Sequence, residues 1–332
     1  MTPVAQMAPA GARLGDYVEL VRAPAILSVL GDTLAGGAAA GHPFTVRRLA
    51  LPLASACFYA GGMALNDWAD REVDARERPE RPIPSGRISP RRALGVAVGL
   101  TAGGLLLAPV GGGRRALLLA VPLAATVWTY DVLAKDHATG PLVMAACRGL
   151  DVLLGAGPGH LRPALPAAAA LTLHTAGVTV LSRGEVHGTT TAHAGAVVAG
   201  TVLTAVAAGL VPTTALVPTT AVVPNAHRPG SAPHATSHRG ARPALHRVLA
   251  AAASAAFAAA CLPAQLAAAR EPTADHARTA TRAGIRAMVP LQSAWAGRHG
   301  QPWAVGALAA VEVAGRALRA RSARAGTLVS ET

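Results

Sequence analysis

Long apolar runs recur from about residue 24 to residue 318, and they leave this chain few ways to fold. They fall at about 24–42, 49–66, 93–110, 115–133, 141–157, 163–181, 192–211 and 246–269, with shorter ones at about 284–296 and 302–318. Most match the length that carries a helix across a hydrocarbon layer. Backbone polar groups in lipid must find partners within their own segment, so helices are the economical solution. The sequence therefore predicts an all-α fold, a polytopic membrane helix bundle with about nine transmembrane helices. Composition agrees, with 52% hydrophobic and only 14% charged residues among 332.

The net charge of +13 comes from the connections between runs. Arginines gather in 71–92, 270–286 and 316–324, which the positive-inside rule assigns to the cytoplasm. Counting from a cytoplasmic N-terminus puts 67–92, 134–140, 182–190 and 270–283 on that same side, although arginines at 47–48, 114–115 and 228–247 count against it. The basic loops lack interleaved aromatics, so the chain reads as a partner of membrane lipids and not of nucleic acid. The first apolar run carries Asp32 and is followed by many more, unlike a cleaved signal. Cys57, Cys147 and Cys261 sit in apolar segments without CxxC spacing and read as packed small residues. Segment 224–245 reads as a flexible loop, and its His227, His234 and His238 are too irregularly spaced for a metal site.

One segment carries most of the chemistry. Asp67, Asp70 and Asp74 follow the second run at i, i+3 and i+7, which puts their carboxylates on one helix face. Three acids at a membrane-helix end repel one another unless something positive lies between them, and a hard divalent cation with phosphate oxygens suits that place. A solvated polar helix end is the simpler alternative. Against it stands the neighbouring guanidinium-rich stretch from Arg76 to Arg87, which includes Arg78 and Arg81.

The run Asn66-Asp67-x-x-Asp70-x-x-x-Asp74, with Arg78-Pro-Glu-Arg-Pro-Ile-Pro-Ser-Gly-Arg87 after it, resembles the signature and following loop of the UbiA superfamily of intramembrane prenyltransferases. The resemblance extends from about residue 20 to residue 320, and in particular to an EboC-like subgroup of unassigned acceptor. It implies a helical bundle around a central cavity, open to lipid, that moves a prenyl group from an isoprenyl diphosphate to an acceptor. It further implies a multi-pass protein of the cell membrane that uses Mg²⁺, with Asp70 and Asp74 as ligands and Asp67 as a third. Asn66 would then bond a phosphate oxygen or a metal-bound water. Arg71 would touch the diphosphate, and Arg78, Arg81 and Arg87 are further candidates for that contact, the alternative being inside-facing membrane anchors. The domain expected is 23–320, after a cytoplasmic segment 1–22 and before a tail 321–332. The physical reason for the signature is independent of the family. A diphosphate cannot sit near a bilayer core uncompensated, and a divalent cation bridging it to carboxylates makes it a better leaving group.

Tyr130-Asp131-Val132-Leu133-Ala134-Lys135 resembles the family's Tyr/Lys element, whose lysine contacts diphosphate, but has four residues between Tyr130 and Lys135 where three are usual. One extra residue turns the lysine by about 100° on a helix. The bland alternative is an Asp131–Lys135 helical salt bridge, yet Lys135 is the sole lysine in the chain. A second aspartate-rich element expected after the sixth span is replaced by Ser182-Arg183-Gly184-Glu185. Glu185 supplies a second metal ligand, or Arg183 replaces a cation's charge against the substrate, or activity is lost. Within the fifth run, Arg148 and Asp151 should point inward and pair at i, i+3, as a structural pair or a contact to the acceptor. The competing functions are a transporter, whose path would use Asp32, Arg148 and Asp151, and a catalytically weak homologue that binds isoprenyl diphosphate. Acceptor, prenyl chain length and oligomeric state are not legible.

Overall fold

The computed structural model describes residues 12–210 and 241–324, and every regular element among them is helical. The α-helices are α1 (Leu14–Leu20), α2 (Ala23–Ala39), α3 (Ala50–Ala69), α4 (Arg71–Glu77), α5 (Pro90–Gly112), α6 (Leu117–Thr129) and α7 (Gly140–Ala156). After them come α8 (Leu161–Ser182), α9 (Thr191–Leu210), α10 (Ala241–Arg270), α11 (Ala274–Arg286), α12 (Met288–Arg298) and α13 (Pro302–Arg324). Among the described residues six segments are long and apolar enough to cross a membrane: Val46–Ala69, Pro90–Gly112, Arg114–Ala134, Pro158–Ser182, Thr191–Gly209 and Leu245–Arg270. α2 is apolar but shorter, with 17 residues. α7 has 17 residues and carries Arg148 and Asp151, α12 has 11, and α13 is too rich in charge to count by composition. The histidines of the expected loop 224–245 lie outside the described residues, and the helix that follows begins at Ala241, inside the expected loop.

Neighbouring helices pack α3 on α5, α7 on α8, α9 on α10, and α2 against both α7 and α3. Hydrocarbon solvent gives little drive to bring helices together, so close approach of small residues does the work. α2 and α7 show it best: a Cβ on Gly36 would fall on the carbonyl of Val152, and one on Gly155 would fall on the backbone of Thr33. Neither obstacle is a side chain that can swing away. Gly155→Ala should therefore force the two helices apart and cost about 1–3 kcal/mol, as overpacking does. A thermal unfolding midpoint in detergent unchanged by this substitution would contradict the packing.

The connections segregate to two ends. At one end Lys135 pairs with Asp70, Arg183 donates to the carbonyls of Lys135 (3.2 Å) and His137, Arg278 donates to the carbonyl of Glu185 (2.8 Å), and Thr189 N–H reaches Pro272 O (3.0 Å). Loops 67–92, 134–140 and 182–190 and the start of α11 thus meet, as the charge pattern predicts. At the other end Arg47 donates to Val110 O (2.6 Å), Arg48 to Gly155 O (2.6 Å), and the His42 ring meets Ala156 O (2.8 Å). These arginines cap carbonyls at helix ends, which explains why they sit opposite the main basic cluster.

Short α1 is held at the first end by Arg87, which reaches Asp16 (2.8 Å), Glu19 (2.6 and 3.0 Å) and Glu80 O (2.6 Å). The Asp16 carboxyl lies below the usual range because the Arg13 backbone N–H and then Arg87 favour its charged form. Arg87 is accordingly a clamp between α1 and the loop after α4, and its place in the fold is not at the cavity.

Candidate active site

Asn66, Asp67 and Asp70 end α3, and the chain bends at Asp70 (φ −86°, ψ 1°) before α4. The bend does not interrupt the ladder, because Asp70 N–H bonds Asn66 O (2.9 Å) and Asp74 N–H bonds Asp70 O (2.8 Å). Asp67 and Asp74 are buried, at 4% and 3% exposure, so each needs a cation. Arg81 supplies it to both, at 3.3 Å from Asp67 and 2.6 Å from Asp74. The loop that carries Arg81 is fixed by Ile83 and Ile88, buried in one cluster with Leu20 and Leu65. A second guanidinium reaches Asp67 from Arg22 at 3.6 Å. Arg22 has φ 47°, ψ 51°, a left-handed backbone unusual for a residue with a side chain. That turn between α1 and α2 places Arg22 at the cavity.

Lys135 pairs with Asp70 and not with Asp131, so the helical i, i+4 salt bridge does not form. The spacing explains how. Residues Tyr130–Ala134 form a π-helical turn, with Lys135 N–H bonded to Tyr130 O at 3.0 Å, five residues back. The wider turn absorbs the extra residue between Tyr130 and Lys135 and sends the lysine to Asp70. Asp131, 2% exposed, instead accepts from Asn66 Nδ2 at 3.3 Å.

Of these groups Arg22, Tyr130 and Asp131 line a cavity of about 360 Å³ between α2, α3, α6, α7, α8 and α11, and the Arg22–Asp67 and Asn66–Asp131 contacts join the acidic segment to that lining. Arg22, Arg78, Tyr130, Asp131 and Glu185 line it toward the polar loops, while Phe58, Leu123, Val127, Val178 and Met288 form its apolar wall. Glu185 stands half-buried, with Oε1 lacking any hydrogen-bond partner. Burial pushes its carboxyl above the usual range, partly offset by Thr281 and by Arg282, Arg278 and Arg78.

Several expected contacts are placed otherwise. Arg71 stacks over the Trp68 ring at 5.0 Å and donates to Trp68 O (2.9 Å) and Glu72 (3.3 Å), away from the cavity lining. Arg183 is exposed and spends its guanidinium on loop carbonyls, so it ties two loops together and does not stand in for a cation. Arg148 and Asp151 do not pair with each other. Arg148 reaches across to Asp32 of α2 at 2.5 Å, and Asp151 takes the Ser55 hydroxyl of α3. Interhelical partners win here because i, i+3 groups on α7 would leave Asp32, 0% exposed, without a cation. α2, α3 and α7 run unbroken past this cluster, unlike the interrupted helices expected of a transport path.

A Mg²⁺ ion fits the donor set: hard carboxylate oxygens from Asp67, Asp70 and Asp74, and an orphaned oxygen on Glu185. Among the described residues no three His, Cys, Asp or Glu side chains converge as a ready-made metal cluster. Arg81 lies between Asp67 and Asp74 there, and Lys135 is paired with Asp70. Sequence reasoning missed Arg22 and the inward role of Asp131. An arginine just ahead of a proline at a helix start marked the first, and the extra residue before Lys135 marked the second.

The model described as the UbiA prenyltransferase family matches residues 29–223, more than half of the chain. A curated relative, digeranylgeranylglyceryl phosphate synthase of Methanopyrus kandleri, is 37% identical over 149 residues, covering 45% of this chain and 54% of that protein. The chain spans about half the length of the curated relatives it matches. Among solved structures, the apo form of a UbiA homolog from Aeropyrum pernix K1 aligns with TM-score 0.56 at 18% identity, over 87% of this chain and 98% of the other. A UbiA homolog from Archaeoglobus fulgidus bound to GPP and Mg²⁺ aligns with TM-score 0.51 at 13% identity, over 82% and 99%. At these identities the structural likeness speaks to the fold.

Proposed function

This chain belongs to the UbiA prenyltransferase family, and we propose that it moves a prenyl group from an isoprenyl diphosphate to an acceptor inside the cell membrane, releasing diphosphate. The acceptor is an aromatic, a quinone precursor or another nucleophile that reaches the cavity. One observation carries the reading: Arg22, Arg78, Asp131 and Glu185 line one part of an otherwise apolar cavity, and the Arg22–Asp67 and Asn66–Asp131 contacts join that lining to the acidic segment. A diphosphate with an oily tail is the ligand whose two halves need those two environments together.

Asp67, Asp70 and Asp74 would hold Mg²⁺, with Glu185 from the opposite side of the mouth. When bound there, the ion supplies Lewis-acid neutralisation of the leaving diphosphate. The chain's own residues do the rest. Arg22, Arg78 and Lys135 add positive charge where diphosphate oxygens arrive. Arg81 and Lys135 are paired with acids in the resting protein, and would turn to phosphate oxygen only where a bound cation neutralised those carboxylates in their place. Asn66 and Tyr130 offer a side-chain amide and a hydroxyl at the same mouth. Phe58, Leu123, Val127 and Val178 keep water from the allylic carbon until the acceptor attacks.

The test uses purified protein in detergent, labelled geranyl and farnesyl diphosphates, and a panel of acceptors. Mg²⁺-dependent diphosphate release with a prenylated product is expected, and EDTA should abolish it. Absence of Mg²⁺-dependent donor binding and of any release would overturn the assignment. Binding without product from any acceptor would instead indicate a catalytically weak homologue.

A further inference from the structure

Helices α3 and α6 both run toward the polar end and touch in rungs four residues apart. Asp70 pairs with Lys135, which follows the π-turn. Asn66 Nδ2 donates to Asp131 Oδ1 at 3.3 Å. A Cβ on Gly62 would stand 2.9 Å from Val127 Cγ1 and 3.3 Å from Asp131 Oδ2. Each rung lies one helical turn, about 5 Å, inward from the last. Asp131 is therefore one turn inside the level at which Lys135 meets the acidic segment, and it lines the cavity with Gly62 and Val127.

Asp131 differs from the other buried acids in its partners. Asp67 and Asp74 share Arg81, and Asp32 has Arg148. Among the described residues no cation pairs with Asp131, and its hydrogen bond comes from a neutral amide. A buried carboxylate so placed is relieved of its charge by a proton. The second oxygen is the reachable one. Asp151 Oδ1 and Glu185 Oε1 also lack partners, but both are sealed within the protein. Asp131 Oδ2 has neither a hydrogen bond nor such a seal, and a side chain at Gly62 would cover it.

Prenyl transfer releases a proton as well as diphosphate. The donor's C–O bond breaks and its electron pair leaves with the diphosphate, while a pair on the nucleophile forms the new bond to the allylic carbon. The nucleophilic atom must then lose its proton beside an apolar wall. We propose that Asp131 Oδ2 is the base that takes it. The reacting carbon hangs from the diphosphate. With the diphosphate at the level of Lys135, that carbon reaches the Asp131 rung about one turn inward. The Asn66 amide holds Oδ1 and so fixes the carboxylate with Oδ2 toward the cavity. When product departs, the proton passes to water and the carboxylate is restored. The inference rests on the prenyl-transfer reading and adds the destination of the proton.

The experiment uses the full chain in detergent with labelled farnesyl diphosphate, Mg²⁺ and the acceptor panel, water counted as one acceptor. Asp131→Asn keeps an oxygen for the Asn66 amide and removes the base, so product formation should fall by about 10²–10⁴-fold. Donor affinity, read as thermal protection by farnesyl thiolodiphosphate with Mg²⁺, should stay within about threefold of the wild type. Asp131→Ala should lose activity likewise. Added formate, a free carboxylate, should raise its rate by about tenfold or more and leave the wild type unchanged. A residue that only shapes the cavity gives no such rescue. If either variant does not fold, Asp131→Ser, whose hydroxyl also accepts from an amide, takes its place. Product formation at the wild-type rate in a folded Asp131→Asn protein overturns the base and leaves the prenyl-transfer reading in place. So does a loss of donor binding that matches the loss of rate, or a folded Asp131→Ala protein that formate does not rescue. A wild type that prenylates nothing, water included, also overturns it, and donor binding then decides whether the prenyl-donor reading falls too.

Discussion

Asp70→Asn is expected to lower diphosphate release by about 10²–10⁴-fold, and Asp74→Asn by a similar factor, since a bound divalent cation contributes several kcal/mol at a departing phosphoryl oxygen. The amide keeps the shape and removes the charge that a hard cation needs. Stability should change little for Asp70, whose side chain is 29% exposed and whose pair with Lys135 lies near the surface. Asp74 is buried against Arg81, but Asp67 still faces the same guanidinium after substitution, so that cation is not stranded. Release of labelled diphosphate at saturating Mg²⁺, with the melting temperature followed in parallel, separates lost chemistry from lost fold. Turnover equal to the wild type in both variants would remove the acids from the reaction.

The largest effect on stability is expected away from the acids. Arg148→Met should destabilise the protein by about 3–5 kcal/mol, because Asp32 then keeps only neutral donors in a fully buried position. Methionine fills most of the arginine stem's volume, which leaves charge as the main difference. Adding Asp32→Asn to Arg148→Met should restore more than half of the loss, since the pair removed together strands nothing. A double-mutant cycle by thermal unfolding in detergent reads this directly. If the double variant is no better than Arg148→Met, the cost comes from packing and not from an orphaned carboxylate.

What the sequence made legible was local. Asn66 to Asp74 and Arg78 to Arg87 form a contiguous pattern, and the apolar runs around them foretell α2, α3 and the longer helices with small errors at their ends. Lys135 stood out as the sole lysine and does meet Asp70. The misses share a cause, which is that partner choice between helices is not encoded by spacing on one of them. Arg148 and Asp151 look like a pair on α7, yet Asp32 and Ser55 lie closer in space than any i, i+3 neighbour can compensate. Arg183 sits where a substrate contact was expected, but its guanidinium is held by the Lys135 and His137 carbonyls. The π-turn at Tyr130–Ala134 is the instructive case. A one-residue departure from the family's spacing reads as a defect in sequence and is accommodated as a wider helical turn in space.

The ties among the polar loops carry a further consequence. Asp70 grips Lys135, whose carbonyl receives Arg183, and Arg183 shares its short connection with Glu185, whose carbonyl in turn receives Arg278. An anion that draws Lys135 off Asp70 would unfasten the one side-chain link in this series, while the backbone carbonyls keep the second and third polar loops and α11 tied together.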